Sequence, residues 1–265
     1  MTAFRCGGRH SAAAWRKGRR ATGMADQKPG AHLIGLIRST IPPIHHGGRP
    51  IILGAAAGSI GARFILRAVG LKRAGRAVGT VGLAATAGSA AFFRAPIRVR
   101  PLGDDLVVAP ADGLVSLIEQ APPPAELELD PVPRLRVSIF LSIFDVHVQR
   151  IPIDGRITGI AYRPGAFLSA DLDKASEVNE RNSLVIESTV GGQVVVTQIA
   201  GLIARRIVSD VHNGAAVQTG DTYGLIRFGS RVDTYLPAGS ELIVRPGQRA
   251  IGGETVLARL PGTLS

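Results

Sequence analysis

Hydrophobic and polar positions divide the chain into two parts with different periodicities. Two long apolar stretches come first: Ile51–Leu71, which Arg63 and Arg67 interrupt, and Ala77–Phe93, which carries no charge. A membrane-spanning helix needs about 20 apolar residues, with about 17 as the lower limit. The second stretch is therefore just long enough to span, and the first is marginal unless its arginines reach back to the interface.

Basic residues surround both apolar stretches, at Arg49, Lys72, Arg73, Arg76, Arg94 and Arg98. Such flanks are typical of the cytoplasmic side of a membrane. A membrane-associated helical hairpin over residues 31–98, which enters the bilayer and returns, would explain why both of its ends are basic. A pair of buried Ala/Gly-rich helices in a soluble core is the alternative.

From residue 99 the pattern changes to short β-forming runs separated by Pro and Gly. This pattern predicts a mainly β domain, a distorted β-barrel or sandwich, over residues 99–265. Two segments should differ, a short helix or helical loop at Asp171–Arg181 and an exposed loop at Ala121–Pro133. The runs are Leu106–Val108, Leu135–Phe144, Val194–Ile199, Ile203–Val208, Tyr223–Phe228, Val232–Leu236, Glu241–Val244 and Val256–Leu260.

The net charge of +11 is uneven, because residues 1–23 contain six basic residues and no acid. Residues 1–30 are interpreted as a basic, disordered leader, with Met24 as an alternative start. A basic chain can bind nucleic acid or an anionic membrane, and no zinc-finger spacing or recognition motif supports nucleic acid. The single cysteine, Cys6, excludes an internal disulfide, and no metal-binding motif is present.

The dipeptide Gly229-Ser230 lies between two β-type runs and, taken alone, is most simply a turn. Glycine leaves its carbonyl uncrowded, and a following serine hydroxyl can attack that carbonyl when a base accepts its proton. Such attack gives an ester, and β-elimination followed by hydrolysis leaves a pyruvoyl group. Arg227 and Arg231 flank the pair and could bind an acidic substrate or simply face outward from a strand.

His147 is the one histidine in a strand-like apolar context. A histidine there is more often a satisfied core residue than a catalyst, and as a base it needs a partner that fixes its tautomer. Asp145, two residues earlier on the same face of a strand, could orient His147 or pair with Arg150. Asp112, in a Pro-x-Asp-Gly turn, either caps that turn or supports the base.

Serine, histidine and aspartate on separate elements would also suit a hydrolase, but Ser230 lies in no Gly-x-Ser-x-Gly elbow. Four further segments accompany these candidates: Phe92–Pro96, Arg163–Phe167, Asp173–Asn182 and Ile203–Val208. Together with Gly224–Asp233 (GLIRFGSRVD) they resemble the phosphatidylserine decarboxylase family, in its short bacterial and archaeal type. The resemblance covers residues 40–245.

The resemblance implies a pyruvoyl-dependent lyase that decarboxylates phosphatidylserine to phosphatidylethanolamine and CO2. Cleavage at Gly229-Ser230 would yield a β chain (residues 1–229) and an α chain (residues 230–265) that stay associated. Asp112 and His147 would assist cleavage, and His147 would also act in decarboxylation. The substrate amine would form a Schiff base on the pyruvoyl group, an electron sink. Arginines, of which Arg227, Arg231 and Arg205 are the candidates, would neutralise the lipid phosphate.

The chain also departs from the family pattern. Ala95 replaces an acid, and Ile143, Phe144 and Gln149 vary a motif that more often has Pro and Asn. Arg150 stands where the longer branch of the family has a second histidine, so His147 alone would serve both steps. The expected location is the cytoplasmic face of the cell membrane, and a homo-oligomer is left open.

Two alternatives remain from the residues. One is a decarboxylase of a related serine lipid such as archaetidylserine, which shares the headgroup. The other is a membrane-tethered β-barrel binding module without activity, against which the presence of Gly229, Ser230, His147 and Asp112 argues.

Overall fold

The computed structural model describes residues 42–165, 179–201, 206–227 and 230–261. These residues all belong to one unit that begins at Pro42. The predicted leader over residues 1–30, together with Arg205 and Gly229, lies outside the described residues. The domain boundaries predicted from the sequence therefore remain predictions.

The described elements follow in chain order. The helices are α1 (Arg49–Ala68) and α2 (Lys72–Phe92), with short 3-10 helices at His46–Gly48 and Ala125–Leu127. The strands are β1 (Leu106–Val108), β2 (Gly113–Ala121), β3 (Arg134–Leu141), β4 (Val148–Arg150), β5 (Gly155–Arg163), β6 (Arg181–Ser188), β7 (Gln193–Ala200), β8 (Ile207–Ser209), β9 (Ala216–Val217), β10 (Thr222–Ile226), β11 (Ser230–Leu236), β12 (Glu241–Leu242), β13 (Arg249–Ala250) and β14 (Val256–Arg259).

The two apolar stretches form the predicted pair of helices. The helices approach closely, because a Cβ atom placed on Gly82 would lie 2.1 Å from Ser59 Oγ. Among the described residues, the segment long and apolar enough to cross a membrane is His46–Ala68, with a mean hydropathy of 1.5. The expectation that the second stretch is the better suited to span a membrane is wrong. Helix α2 lacks charge in its second half but is rich in Ala and Gly, whereas α1 carries Ile, Leu and Phe.

The two ends of the helical pair meet each other. His45 N donates to Phe93 O at 2.9 Å, and Ala95 N donates to Pro43 O at 2.7 Å. The ring of Phe93 occupies the space beside Gly48, where a Cβ atom would lie 2.2 Å from the ring. The hairpin therefore begins and ends at one place, which we call the hairpin base (residues 43–48 and 92–95).

The β domain is built on a curled, antiparallel eight-stranded sheet with the order β13-β2-β3-β11-β7-β6-β5-β9. Two three-stranded sheets, β1-β14-β12 and β4-β10-β8, accompany it. Strand β11 is central, and its two faces behave as its alternation predicts: Val232 and Leu236 enter the main core, whereas Tyr235 packs in a second cluster with Val185 and Val195. The predicted mainly β fold with an N-terminal apolar helical element is confirmed.

The loop Ala121–Pro133 was expected to be exposed, and for its first half this was wrong. Pro123 and Pro124 are buried, and Leu127 and Leu129 pack against the cluster that contains Tyr235. The loop thus covers the outer face of the central strands, because its two leucines pack against that face.

The predicted helix at Asp171–Arg181 lies mostly outside the described residues. Its final residue, Arg181, begins strand β6 instead, and the neighbouring Asn179 donates from Nδ2 to Ala200 O at 2.9 Å. Strand β6 and its partner β5 were not predicted, because Gly155–Arg163 contains two glycines and β6 starts with polar residues.

Candidate active site

Ser230 is the first residue of the central strand β11. It lies at the edge of the eight-stranded sheet that is formed by the ends of the strands. It pairs with Leu141 at the end of β3 and with Ala200 at the end of β7. Strand β2 pairs with β3 on the other side and begins at Gly113, directly after Asp112. Since neighbouring strands lie about 4.8 Å apart, Asp112 is roughly 10 Å from Ser230 along this edge. The fold therefore brings these two predicted site residues to the same edge.

A turn, not a strand, leads to His147. Strand β3 ends at Leu141, and the predicted run to Phe144 is broken because Asp145 N donates to Ser142 O at 3.0 Å. The Asp145 carboxylate accepts hydrogen bonds from Ser142 N and Oγ, both at 2.8 Å, and pairs with Arg249. Asp145 therefore pairs with Arg249 and not with Arg150, and its carboxylate forms no hydrogen bond with His147 in the described structure.

The backbone of Asp145 orients the imidazole instead. Its carbonyl oxygen lies 2.9 Å from Nδ1 of His147. A carbonyl can only accept, so Nδ1 carries the proton and Nε2 carries the lone pair. The Nε2 atom is buried and has no hydrogen-bond partner in the described structure. The fold thus presents an imidazole in one tautomer, with its acceptor atom free.

Burial keeps this imidazole neutral. The ring of Phe92 lies on it, with ring centroids 4.0 Å apart, and His147 is fully buried. Removal from water lowers the pKa of His147 from 6.5 to about 4, against the opposing effects of the Asp145 carbonyl and charge. At pH 7 the side chain is therefore neutral, and the lone pair on Nε2 is available.

The Ser230 hydroxyl is likewise buried and without a hydrogen-bond partner in the described structure. The segment that precedes Ser230 starts beside His147, because Ile226 N donates to His147 O at 3.2 Å. Ile226 ends β10, and three residues separate it from Ser230. An unsatisfied buried hydroxyl costs stability. Ser230 Oγ and His147 Nε2 are both unpartnered, and one is a nucleophile whereas the other is an imidazole acceptor, so together they could carry out proton transfer and attack.

Asp112 accepts hydrogen bonds from Arg98 at 2.6 Å and from Gly252 N at 2.8 Å. Burial raises the pKa of its carboxyl group, while the Gly252 N–H and Arg98 oppose the rise. No hydrogen bond joins Asp112 to His147 in the described structure. If Asp112 supports the base, it would do so through the charge of its carboxylate or after a change of conformation. This role stays a prediction.

The candidate substrate-binding arginines have different surroundings. Arg231 forms a two-pronged ion pair with Asp233, both bonds at 2.8 Å, and both side chains are buried. Arg227 donates to Gly47 O at the hairpin base, at 3.3 Å. Arg205 lies outside the described residues. The guanidinium of Arg231 is thus bound to Asp233 in the protein interior. This geometry gives no support to the predicted contact of Arg231 with substrate.

We expect the Arg231→Ala substitution to lower the free energy of unfolding by about 3 kcal/mol, because Asp233 would remain buried with only Arg136, 3.8 Å away, as a counter-ion. Denaturant titrations in a Ser230→Ala background would measure this without interference from cleavage. The matched control is Arg156→Ala, an exposed arginine on β5 that donates to Gly214 O, with an expected loss of about 0.5 kcal/mol or less. Equal losses in the two variants would contradict the structural role of Arg231.

The lowered pKa of His147 predicts a pH dependence of stability. The folded state resists protonation down to about pH 4, whereas the unfolded state binds a proton below pH 6.5. Stability should therefore fall as the pH falls from 6.5 to 4, by up to about 3 kcal/mol from this group. Unfolding curves of Ser230→Ala with and without His147→Asn measure the contribution, and parallel pH profiles would rule it out.

A buried chain of amides, missed by the sequence analysis, holds the backbone of His147. Gln149 Nε2 donates to His147 O at 2.9 Å, Gln198 Nε2 donates to Gln149 Oε1 at 3.0 Å, and Asn182 Nδ2 donates to Gln198 Oε1 at 3.1 Å. Since Gln149 lies two residues from His147, its position was a usable signal. The link to β6 and β7 depends on strand register, which the sequence alone does not give.

Within the described residues, one group has the spacing of a metal site: His45, His46 and Asp210, whose ligand atoms lie within 4.8 Å of one another. Gly47 N donates to Nδ1 of His45, so the proton of that neutral ring is on Nε2, 3.1 Å from Asp210 Oδ2. A protonated nitrogen cannot bind a metal. The three residues are therefore better described as a hydrogen-bonded contact between the hairpin base and the segment after β8.

A sequence profile of the phosphatidylserine decarboxylase family matches residues 87–258. A protein of Saccharopolyspora erythraea named phosphatidylserine decarboxylase proenzyme is 55% identical over 232 residues, which cover 88% of this chain and 94% of the relative. Proenzymes of the same name from Mycobacterium sp. (strain JLS) and Mycobacterium marinum are 57% identical over 226 residues and 53% identical over 231 residues. They cover 85% and 87% of this chain, and the matches span 92% of each relative.

The β domain, with its buried serine and neutral histidine, is thus that of a decarboxylase, a lyase whose relatives are made as proenzymes. The chain belongs to the phosphatidylserine decarboxylase family.

Proposed function

We propose that this protein cleaves itself between Gly229 and Ser230 and then decarboxylates phosphatidylserine to phosphatidylethanolamine and CO2. The observation that carries the proposal is the pair of buried, unpartnered atoms, Ser230 Oγ and His147 Nε2, at one sheet edge. The names of the relatives, which specify both a proenzyme and phosphatidylserine, support the substrate.

Self-cleavage begins with the Ser230 hydroxyl. His147 Nε2 accepts its proton and Oγ forms a bond to the Gly229 carbonyl carbon. The bond from that carbon to the Ser230 nitrogen then breaks, and His147 returns the proton to this nitrogen, which becomes a free amine. Loss of the Cα proton then expels the new Gly229 carboxylate together with Oγ. Water adds to the resulting dehydroalanine and ammonia leaves, so that a pyruvoyl group starts the α chain (residues 230–265).

The residues at this position fit such a group. Ser230 is completely buried at the start of a central strand, so its product would be shielded from water. A pyruvoyl carbonyl supplies an electron sink for the electrons left by CO2. His147, neutral at pH 7, would hold or move protons beside it, and the Asp145 carbonyl would keep its ring oriented.

The two cleavage products would stay together because their strands alternate in the sheets. From the α chain, β11 lies between β3 and β7, β13 pairs with β2, and β14 pairs with β1. The buried Arg231–Asp233 pair, at the new start of the α chain, adds to this attachment. Separation would therefore require unfolding of the domain.

The apolar helices support a location at the membrane that contains the substrate. Segment His46–Ala68 is long and apolar enough to cross, and its side chains are not buried against the protein. Basic residues at both ends of the helices favour the cytoplasmic face. The protein would thus be anchored by its hairpin, with the β domain at the headgroups.

The proposed activity is tested with purified protein and phosphatidylserine labelled in its carboxyl group, dispersed in detergent. Labelled CO2 and phosphatidylethanolamine should form in equal amounts. Archaetidylserine in the same assay measures the preference among serine lipids. Water-soluble serine released without CO2 would instead indicate a hydrolase, and no reaction by fully cleaved protein would contradict the proposal.

A further inference from the structure

The turn between Leu141 and His147 has an apolar tip that the proposed reaction does not use. Phe144 is 81% exposed and Ile143 is 52% exposed. On either side of this tip, one stem leads to Leu141, the partner of Ser230, and the other leads to His147. We call residues 142–145 the site turn.

The site turn is attached to the hairpin base. Arg94 donates to Ala91 O at 2.6 Å and to Phe144 O at 2.9 Å, and so joins the end of α2 to the tip. Val146, just beyond the turn, packs with Phe92 and Phe93 in one buried cluster. The exposed tip is therefore continuous with the apolar helices that the proposed function places in the membrane.

Two arginines contact the site turn. Arg94 lies on one side, and Arg249, with its side chain 63% exposed, pairs with Asp145 on the other. The carboxylates nearby, Asp145 and Asp112, are each paired with an arginine. An apolar tip between arginines suits the interface of a bilayer, where rings and aliphatic chains enter the acyl region and arginines bind phosphates.

From these contacts we infer that the site turn is a second membrane-inserting element, whose Ile143 and Phe144 enter the same leaflet as the hairpin. Its partner is the glycerophospholipid leaflet itself, with Arg94 and Arg249 at the level of the lipid phosphates. The inference rests on the proposed function. If that function holds, insertion of the site turn would bring a serine headgroup close to Ser230 and His147.

The test reports insertion of the turn without requiring catalysis. The full chain with Ser230→Ala and Trp15→Phe, which removes the single native tryptophan, receives Phe144→Trp as a depth probe. Vesicles contain phosphatidylcholine and phosphatidylglycerol, with or without bromine on the acyl chains. The matched control is Leu102→Trp, an apolar site that is 96% exposed and lies beside Asp154, at the far end of β4 from His147.

We expect the tryptophan at position 144 to shift its emission to shorter wavelength on vesicles and to lose at least half of its intensity to brominated lipid, while the tryptophan at position 102 changes little. An unquenched probe at 144 on a chain that floats with vesicles would overturn the inference. Equal quenching at both positions, or no binding to vesicles, would overturn it as well. Because decarboxylation is assayed in detergent, failure of the proposed function would be seen separately.

Discussion

Ser230→Ala should give a single uncut chain that releases no CO2 above background. The substitution removes the only atom that can attack the Gly229 carbonyl in the proposed cleavage, so neither the α chain nor its pyruvoyl group forms. The expected loss is therefore complete for both cleavage and decarboxylation. Denaturing electrophoresis and the labelled-CO2 assay measure the two losses independently.

Ser138→Ala is the matched control for this substitution. Ser138 lies on β3, is fully buried, and its hydroxyl also lacks a hydrogen-bond partner in the described structure. If burial of an orphan hydroxyl were all that mattered, both variants would behave alike. We expect Ser138→Ala to cleave and decarboxylate normally. CO2 released by the uncut Ser230→Ala chain would refute the assigned cofactor source.

His147→Ala should slow self-cleavage by about 10²–10⁴-fold, the usual contribution of a positioned general base. Its Nε2 atom is unpartnered and its pKa of about 4 leaves it neutral at pH 7. The time course of α-chain appearance during cell-free synthesis gives the rate. Dividing CO2 release by the amount of α chain then separates an effect on decarboxylation from the effect on cleavage.

His212→Ala is the control, because His212 is exposed and interacts with the neighbouring Asn213 carbonyl. It should cleave at the unaltered rate. Full activity and full-rate cleavage of His147→Ala would remove His147 from the account. A loss confined to cleavage would leave decarboxylation to another group at the same edge, with Asp112 as the next candidate.

Short runs of β-forming residues were enough to predict strands β1, β7, β11 and β14, because these strands are buried over most of their length and so contain few residues that interrupt the run. The prediction failed where polar or glycine residues dominate, at β5 and at the start of β6. The polar residues that begin β6 are buried because β7 pairs with them and Glu126 of the covering loop pairs with Arg181. The proline-rich loop over β11 was missed for the same reason: its leucines are buried by a sheet face that only tertiary structure creates.

The site was predictable to the extent that it is local. Ser230 and His147 stood out by motif, and Arg231 and Asp233 share a face of one strand, so their pairing could have been inferred. The pairing of Asp145 with Arg249 could not, because 104 positions separate the two residues and strand register joins them. The Asp145 carbonyl fixes the tautomer of His147, and a turn after β3 places it there. The apolar run predicted a strand up to Phe144, so this contact could not be predicted.

The most direct test of the central claim is the mass of the purified protein under denaturing conditions. The account predicts two chains, one ending at Gly229 and one covering residues 230–265. The second should be lighter by one ammonia than a chain that starts with serine, and Edman degradation should find it blocked. An intact chain in protein that actively releases CO2 would contradict the account.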